Sequence, residues 1–127
     1  MLSNNTSHRQ KVQQKKMSRL IRKAEEWGEW HGTWLEATLN EFFDKHSAKT
    51  IKSEILRYIL EDDADQEDVV HLLFYETVKD FLKDKANAEM YDDPDAVPTS
   101  ATIDTMFEIE IPIIEEMYET FCEHYGI

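Results

Sequence analysis

The chain has 127 residues, of which 41% are hydrophobic and 32% charged, and its net charge at pH 7 is −13. This composition is typical of one folded domain with a highly charged surface, and it excludes a disordered chain. The apolar runs are too short to span a bilayer, and the polar first eight residues lack a signal peptide's apolar core. Cys122 is the only cysteine, which excludes an internal disulfide. We therefore expect an intracellular, cytoplasmic protein.

The first half of the chain predicts a basic arm followed by two helices. Residues 1–16 are polar, and we interpret them as a basic polar arm, either mobile or a frayed helical extension. A helical period then covers residues 17–45, where Gly28 and Gly32 could bend or break the helix. The stretch Ser47-Ala48-Lys49-Thr50 offers a cap for a second helix over 50–61.

The second half predicts two further helices around an acidic loop. Residues 66–86 have helical spacing, and Asp65 with Asp68 resembles a capping pair at their start. Residues 87–102 contain two prolines and several acids, which indicates a loop. The last helix covers 112–125 and ends at Gly126.

One segment is ambiguous between helix and strand. Residues 107–111 alternate strictly between apolar and acidic side chains, which is typical of a strand, but no second alternating run could pair with them. We therefore favour helix over 103–111, either kinked at Pro112 or followed by a helix that begins there. The predicted fold is all-α, a single domain over 17–127 with about four principal helices in one small bundle.

The most informative stretch is residues 25–36, which holds all three tryptophans and two of the three glycines. At helical pitch Trp27, Trp30 and Trp34 lie near one another, and protein-interface or core packing is the favoured interpretation. Gly28 and Gly32 form a bare strip that another element could approach closely.

Carboxylates in this stretch resemble a metal-binding motif. Glu25-Glu26-Trp27-Gly28-Glu29 matches the E-E-x-x-E motif of the all-helical nucleotide pyrophosphohydrolases of the MazG-like family, and Asp65 to Asp68 resembles their later E-x-x-D motif. The resemblance covers about residues 18–82 and implies a Mg²⁺ site formed by Glu25, Glu26, Glu29, Asp65 and Asp68. Asp65 stands where the family has glutamate, and the gap between the motifs is longer. The alternative is a solvated acidic face, with Asp65 and Asp68 complementing a helix dipole.

A second resemblance concerns residues 34–43 and the helical run after them. They are similar to the tailed-phage late-transcription coactivators, small acidic helical proteins that bridge RNA polymerase and the sliding clamp. The chain lacks the short acidic and hydrophobic tail that ends those proteins. This resemblance implies a role as a phage-like transcription accessory protein. A role as a structural assembly subunit is a further alternative.

Charge is divided sharply along the chain. Residues 1–24 hold seven basic residues and no acidic one, whereas 25–127 hold the other seven Lys and Arg and all 27 acidic residues, a net charge of −20. Such a body repels nucleic acid, which only the basic arm would tolerate, and favours a basic or nucleic-acid-binding protein as partner.

These patterns favour a non-catalytic adaptor, inhibitor or regulatory protein that needs no cofactor and binds its partner through an acidic and aromatic surface. Mimicry of nucleic-acid charge by the acidic body is one form that this role can take. The alternative function is that of a Mg²⁺-dependent nucleotide pyrophosphohydrolase. The sequence also leaves open whether the protein forms a homo-oligomer. The predicted interaction residues are Trp27, Trp30, Trp34, Asp92, Asp93, Asp95, Glu115, Glu116 and Glu119.

Overall fold

The first helix is the longest element of the fold. The computed structural model describes the backbone of residues 2–92 and 97–127, and the side chains of residues 15–92 and 97–127. Helix α1 covers Leu2–Lys45, 44 residues, or about 66 Å at 1.5 Å per residue. It therefore begins well before residue 17, where the apolar period starts. Neither Gly28 nor Gly32 interrupts it.

Helix α2 covers Ala48–Asp62, two residues earlier at its start and one later at its end than predicted, and Ser47 of the predicted capping stretch is its N-cap. The Ser47 hydroxyl accepts a hydrogen bond from the backbone N–H of Thr50 at 3.2 Å. Ile51 and Ile55 are buried, and Asp63 ends the helix in the left-handed conformation at φ 50°. Local capping thus fixes both ends of this short helix.

Helix α3 runs without a break through three segments, Gln66–Leu73, the π-helical Phe74–Val78, and Lys79–Glu89. It extends three residues past the predicted end at 86. Asp65 occupies the N-cap position, but its side chain makes no capping hydrogen bond. The predicted capping role of Asp65 is therefore wrong in this structure.

The π-helical segment fits the spacing of the buried residues. The buried face of α3 includes a row of five residues in which each lies four positions after the one before. They are Val70, Phe74, Val78, Leu82 and Ala86. In a regular α-helix each four-residue step rotates a side chain by about 40° away from the previous one. A π turn holds more residues per turn, so it offsets part of this rotation and keeps the row directed at the core.

The segment that alternates in sequence is helical. Helix α4 covers Ser100–Ile109, capped by the Thr99 hydroxyl, and helix α5 covers Pro112–Tyr125. Between them Glu110 adopts the left-handed conformation at φ 58°, and Pro112 lies in the first turn of α5. The helical interpretation is therefore confirmed for 103–109, whereas residues 110 and 111 form the turn before the helix that begins at Pro112. The connection after α3 is shorter than 87–102.

The described residues form five helices and no strand, packed in one bundle. The predicted all-α bundle is confirmed, with five helices rather than about four, because α4 is a helix of its own. The core is rich in aromatic rings, and Phe74 contacts both Phe107 and Phe121. Ion pairs add to the packing at the surface: Asp104 of α4 lies 3.0 Å from Lys83 of α3.

Tyr125 joins the end of α5 to the end of α1. Its buried hydroxyl donates a hydrogen bond to the backbone carbonyl of His46 at 2.7 Å. Burial raises the pKa of Tyr125 to about 12 from its usual value near 10. The stability that Tyr125 contributes is therefore fully present below about pH 10 and is lost as the pH rises toward 12.

We expect Tyr125→Phe to lower the free energy of unfolding by about 1 kcal/mol at pH 7, because one hydrogen bond is lost. The variant should lose less stability than the parent between pH 10 and 12, because it has no hydroxyl to ionise there. Denaturant titrations of parent and variant at pH 7, 10 and 12 would measure the free energy of unfolding at each pH. Tyr91→Phe, at an exposed tyrosine, is the control. A difference between parent and variant that stays constant up to pH 12 would contradict the assignment.

Candidate functional site

Helix α5 lies between two grooves, of which the first runs along its contact with α1. Two adjoining cavities of about 240 Å³ and about 270 Å³ form this α1–α5 groove, and both are lined by Ile113 and Glu116. The apolar lining includes Leu39, Ile111 and Met117. The acidic lining consists of Glu25, Glu29, Glu36 and Glu116. The groove thus combines an apolar surface with carboxylates from both helices.

The bare glycine strip of α1 allows α5 to approach. A Cβ atom at Gly28 would lie 2.7 Å from Cδ1 of Ile111, closer than carbon atoms pack, and one at Gly32 would lie 3.3 Å from Cδ1 of Ile113. The side chains at the start of α5 therefore occupy the space that these glycines leave. This close approach places Glu116 in the same cavity as Glu25 and Glu29.

The second groove, between α3 and α5, is an aromatic and acidic cavity of about 270 Å³. Its lining includes the rings of Phe74, Tyr75 and Tyr118. Its acidic residues are Glu110, Glu115 and Glu119. Nε2 of His71 lies 3.7 Å from Oε1 of Glu110. Burial raises the pKa of Tyr75, and a hydrogen bond to Glu110 raises it further.

The predicted acidic residues of α5 are divided between these grooves. Glu115 and Glu119 line the α3–α5 cavity, whereas Glu116 lines the α1–α5 groove. Residues four apart share a helix face and their neighbour at 116 is turned by about 100°, which accounts for the division. Asp92 is exposed just after α3, and Asp93 and Asp95 lie outside the described residues.

The three tryptophans differ in their surroundings. Nε1 of Trp34 donates a hydrogen bond to Oε2 of Glu89 at 2.7 Å, which joins α1 to the end of α3. Trp27 is half-buried against the core. The ring of Trp30 is exposed, with 71% of the residue's surface accessible. The predicted aromatic cluster therefore has one member in an interhelical contact and one directed at solvent.

The structure places the two carboxylate motifs at different positions in the fold. Glu25 and Glu29 line the α1–α5 groove, whereas Asp65 and Asp68 lie at the start of α3, the helix that packs on α2. Across the described residues no group of three His, Cys, Asp or Glu side chains could hold a metal ion. The arrangement that the pyrophosphohydrolase resemblance implies is therefore not present.

Several groove residues were not identified from the sequence. Glu110, Tyr75 and Tyr118 line the α3–α5 cavity because α4, α3 and α5 meet there, and no local motif marks that meeting. The position of Glu110 before Ile111-Pro112 is the one available signal, since a residue two places before a helix-starting proline commonly lies in a turn.

Comparisons with known proteins assign no family. No protein-family model, no curated protein and no solved structure matches this chain. Among the helices that the structure describes, none is long and apolar enough to cross a membrane.

Proposed function

We propose that this chain is a non-catalytic acidic protein that binds a basic partner protein at α5 and the two grooves beside it. In this role it acts as an adaptor, inhibitor or regulator, and its partner is a basic or nucleic-acid-binding protein. The single observation that supports the proposal is that carboxylates border apolar grooves on both sides of one exposed helix.

The lining of the grooves suits lysine and arginine side chains. Their aliphatic stems can cover apolar surface while their charged ends reach carboxylates. The half-buried Ile113 provides such surface in the α1–α5 groove, and Glu116 lines the same groove. In the α3–α5 cavity, the ring of Tyr118 could also receive a cation on its face.

The charge distribution supports the same partner. The chain contains no Lys or Arg after Lys85, whereas it has 11 acidic residues there, so α4 and α5 carry no basic residue other than His124. None of the described residues that line the two grooves is Lys or Arg. An acidic surface accelerates association with a basic partner, and it weakens binding to nucleic acid because the phosphates are also negatively charged.

Binding of a lysine-rich peptide to the full chain tests the proposal. We expect Glu115→Gln, Glu116→Gln and Glu119→Gln together to weaken binding about tenfold, because three exposed ion pairs at about 0.5 kcal/mol each are lost. Calorimetry at several salt concentrations would measure affinity, which should fall as salt rises. The matched control neutralises three exposed acids outside the grooves, Glu61, Asp62 and Asp80.

Two outcomes would contradict the proposal. If the control variant loses as much affinity as the α5 variant, net charge rather than the grooves attracts the peptide. If binding is insensitive to salt and disappears when residues 1–16 are deleted, the arm is the docking element, and a structural assembly subunit becomes the better interpretation. Under the proposal, deletion of the arm leaves binding unchanged or stronger.

A further inference from the structure

We propose that the α3–α5 cavity is an arginine pocket, in which one arginine side chain of the basic partner stacks on Tyr118 and pairs with Glu115 and Glu119. This inference rests on the proposed function and adds the identity of the side chain that the second groove takes. Net charge alone does not make that distinction, because lysine and arginine carry the same charge.

The cavity has a buried floor, aromatic walls and an exposed acidic rim. Phe74 and Ile114 line it and are buried, so they form its floor. The rings of Tyr75 and Tyr118 are half-buried and form its walls. Its volume of about 270 Å³ is slightly smaller than the roughly 300–1,000 Å³ of pockets that enclose drug-sized ligands. The size therefore suits one side chain.

The hydroxyl groups of both wall tyrosines are already engaged within the protein. Tyr75 forms a hydrogen bond with Glu110, and Tyr118 forms one with Cys122, one turn further along α5. Burial and the contact with Cys122 raise the pKa of Tyr118 to about 12, so its hydroxyl is neutral at pH 7. A side chain that enters the cavity therefore meets ring surface, and the face of a tyrosine ring attracts cations.

The ring of Tyr118 is held in place by its neighbours. Its centroid lies 5.3 Å from the His71 ring and 5.3 Å from the Phe74 ring, in edge-to-face contacts with both. Its hydroxyl is fixed by Cys122. Binding therefore does not require this side chain to be ordered first, and a wall ordered in advance lowers the free-energy cost of association.

Two of the three carboxylates at the rim have no partner of their own. Glu110 accepts the hydrogen bond from Tyr75. By contrast, no ion pair or side-chain hydrogen bond within the described residues engages Glu115 or Glu119. These two residues are one turn apart on α5, and Tyr118 lies on the same helix face, three residues after Glu115. A cation on the Tyr118 ring thus has two carboxylates within reach.

The combination of a ring and two carboxylates favours arginine over lysine. A guanidinium group is planar, so it stacks on an aromatic face while its N–H groups bind carboxylates at its edge. The ammonium group of lysine is compact and strongly hydrated, so it gains less from the ring. None of the described residues that line the α1–α5 groove is aromatic, and that groove should therefore accept either side chain.

Calorimetry of the full chain with two peptides tests the arginine pocket. One is the lysine-rich peptide, and the other has arginine at every basic position. We expect the arginine peptide to bind about fivefold more tightly. Glu115→Gln with Glu119→Gln should lower this ratio to about one, because the paired carboxylates are lost. The matched control is Glu36→Gln with Glu116→Gln in the α1–α5 groove, which should weaken both peptides and keep the ratio.

Replacement of Tyr118 tests the ring separately from the carboxylates. Tyr118→Leu should lower the ratio to about one, mainly through weaker binding of the arginine peptide, whereas Tyr118→Phe keeps the ring and should keep the preference. Circular dichroism would show whether each variant is folded.

The outcomes separate this inference from the proposed function. Equal affinity of the parent chain for the two peptides would overturn the arginine pocket and leave the proposed function in place. A preference for arginine that survives both Tyr118→Leu and the Glu115 and Glu119 substitutions would also overturn the pocket. If neither peptide binds the parent chain, the proposed function fails and the pocket fails with it.

Discussion

Replacing Phe74 by alanine is expected to lower the free energy of unfolding by about 3–5 kcal/mol, the range found for buried aromatic residues. Phe74 is fully buried in the π-helical segment of α3. Its ring contacts the rings of Tyr118 and Phe121 on α5 and of Phe107 on α4. Truncation would leave a cavity where three helices meet, so the loss combines reduced apolar burial with unfilled space.

Denaturant unfolding followed by circular dichroism would measure this loss. Since small domains are stable by about 5–15 kcal/mol, the variant would keep a fraction of its stability or unfold partially at room temperature. Leu72→Ala is the matched control, because Leu72 is exposed two residues earlier in the same helix, and it should change stability by less than about 0.5 kcal/mol. Equal effects of the two variants would show that Phe74 is not a centre of the core.

Replacing Gly28 by leucine is expected to lower the free energy of unfolding by about 1–3 kcal/mol through overpacking. Even a Cβ atom at this position would lie 2.7 Å from Cδ1 of Ile111 and 3.1 Å from Cγ2 of Ile113. Ile111 is itself buried, so its side chain has little space to move away. The start of α5 would have to shift from α1, and the α1–α5 groove would widen.

The glycine one turn further along provides the matched control. At Gly32 the nearest atom to a Cβ is Cδ1 of Ile113 at 3.3 Å, and Ile113 is only partly buried. Gly32→Ala should therefore be neutral or stabilising by up to about 1 kcal/mol, because alanine has the higher helix propensity. Thermal unfolding of both variants would measure the difference. A Gly28→Leu variant as stable as the parent would mean that α5 does not press against α1 there.

Local signals accounted for much of the fold. The capping stretch that begins at Ser47, Pro112 in a first turn and Gly126 after the last helix each depend on neighbouring residues, and each of them marks a helix end in the structure. The π-helical segment was not predicted, since its cause is the set of positions that the assembled core buries. The alternation at 107–111 was ambiguous because a helix end followed by a left-handed Glu110 gives the same apolar spacing as a strand.

The candidate site was less predictable than the fold. The sequence identified Glu115, Glu116 and Glu119 as acidic residues of one helix, but the groove that each one lines depends on which helices flank α5. Trp34 bonds to a residue 55 positions away, and no short-range pattern records such a contact. Contacts between distant parts of the chain therefore carry the information that the sequence alone could not provide.

The fluorescent tryptophans are all located in one part of the protein. All three lie on α1 between residues 27 and 34, beside the end of α3, whereas Tyr125 lies at the junction of α1 with α2. Emission from tryptophan will therefore report on the contact between α1 and the end of α3, and the exposed Trp30 will shift to shorter wavelength if a partner covers it. Unfolding that begins at α2 would be reported by the tyrosines instead, by Tyr58 on α2 and by Tyr125 at its junction with α1.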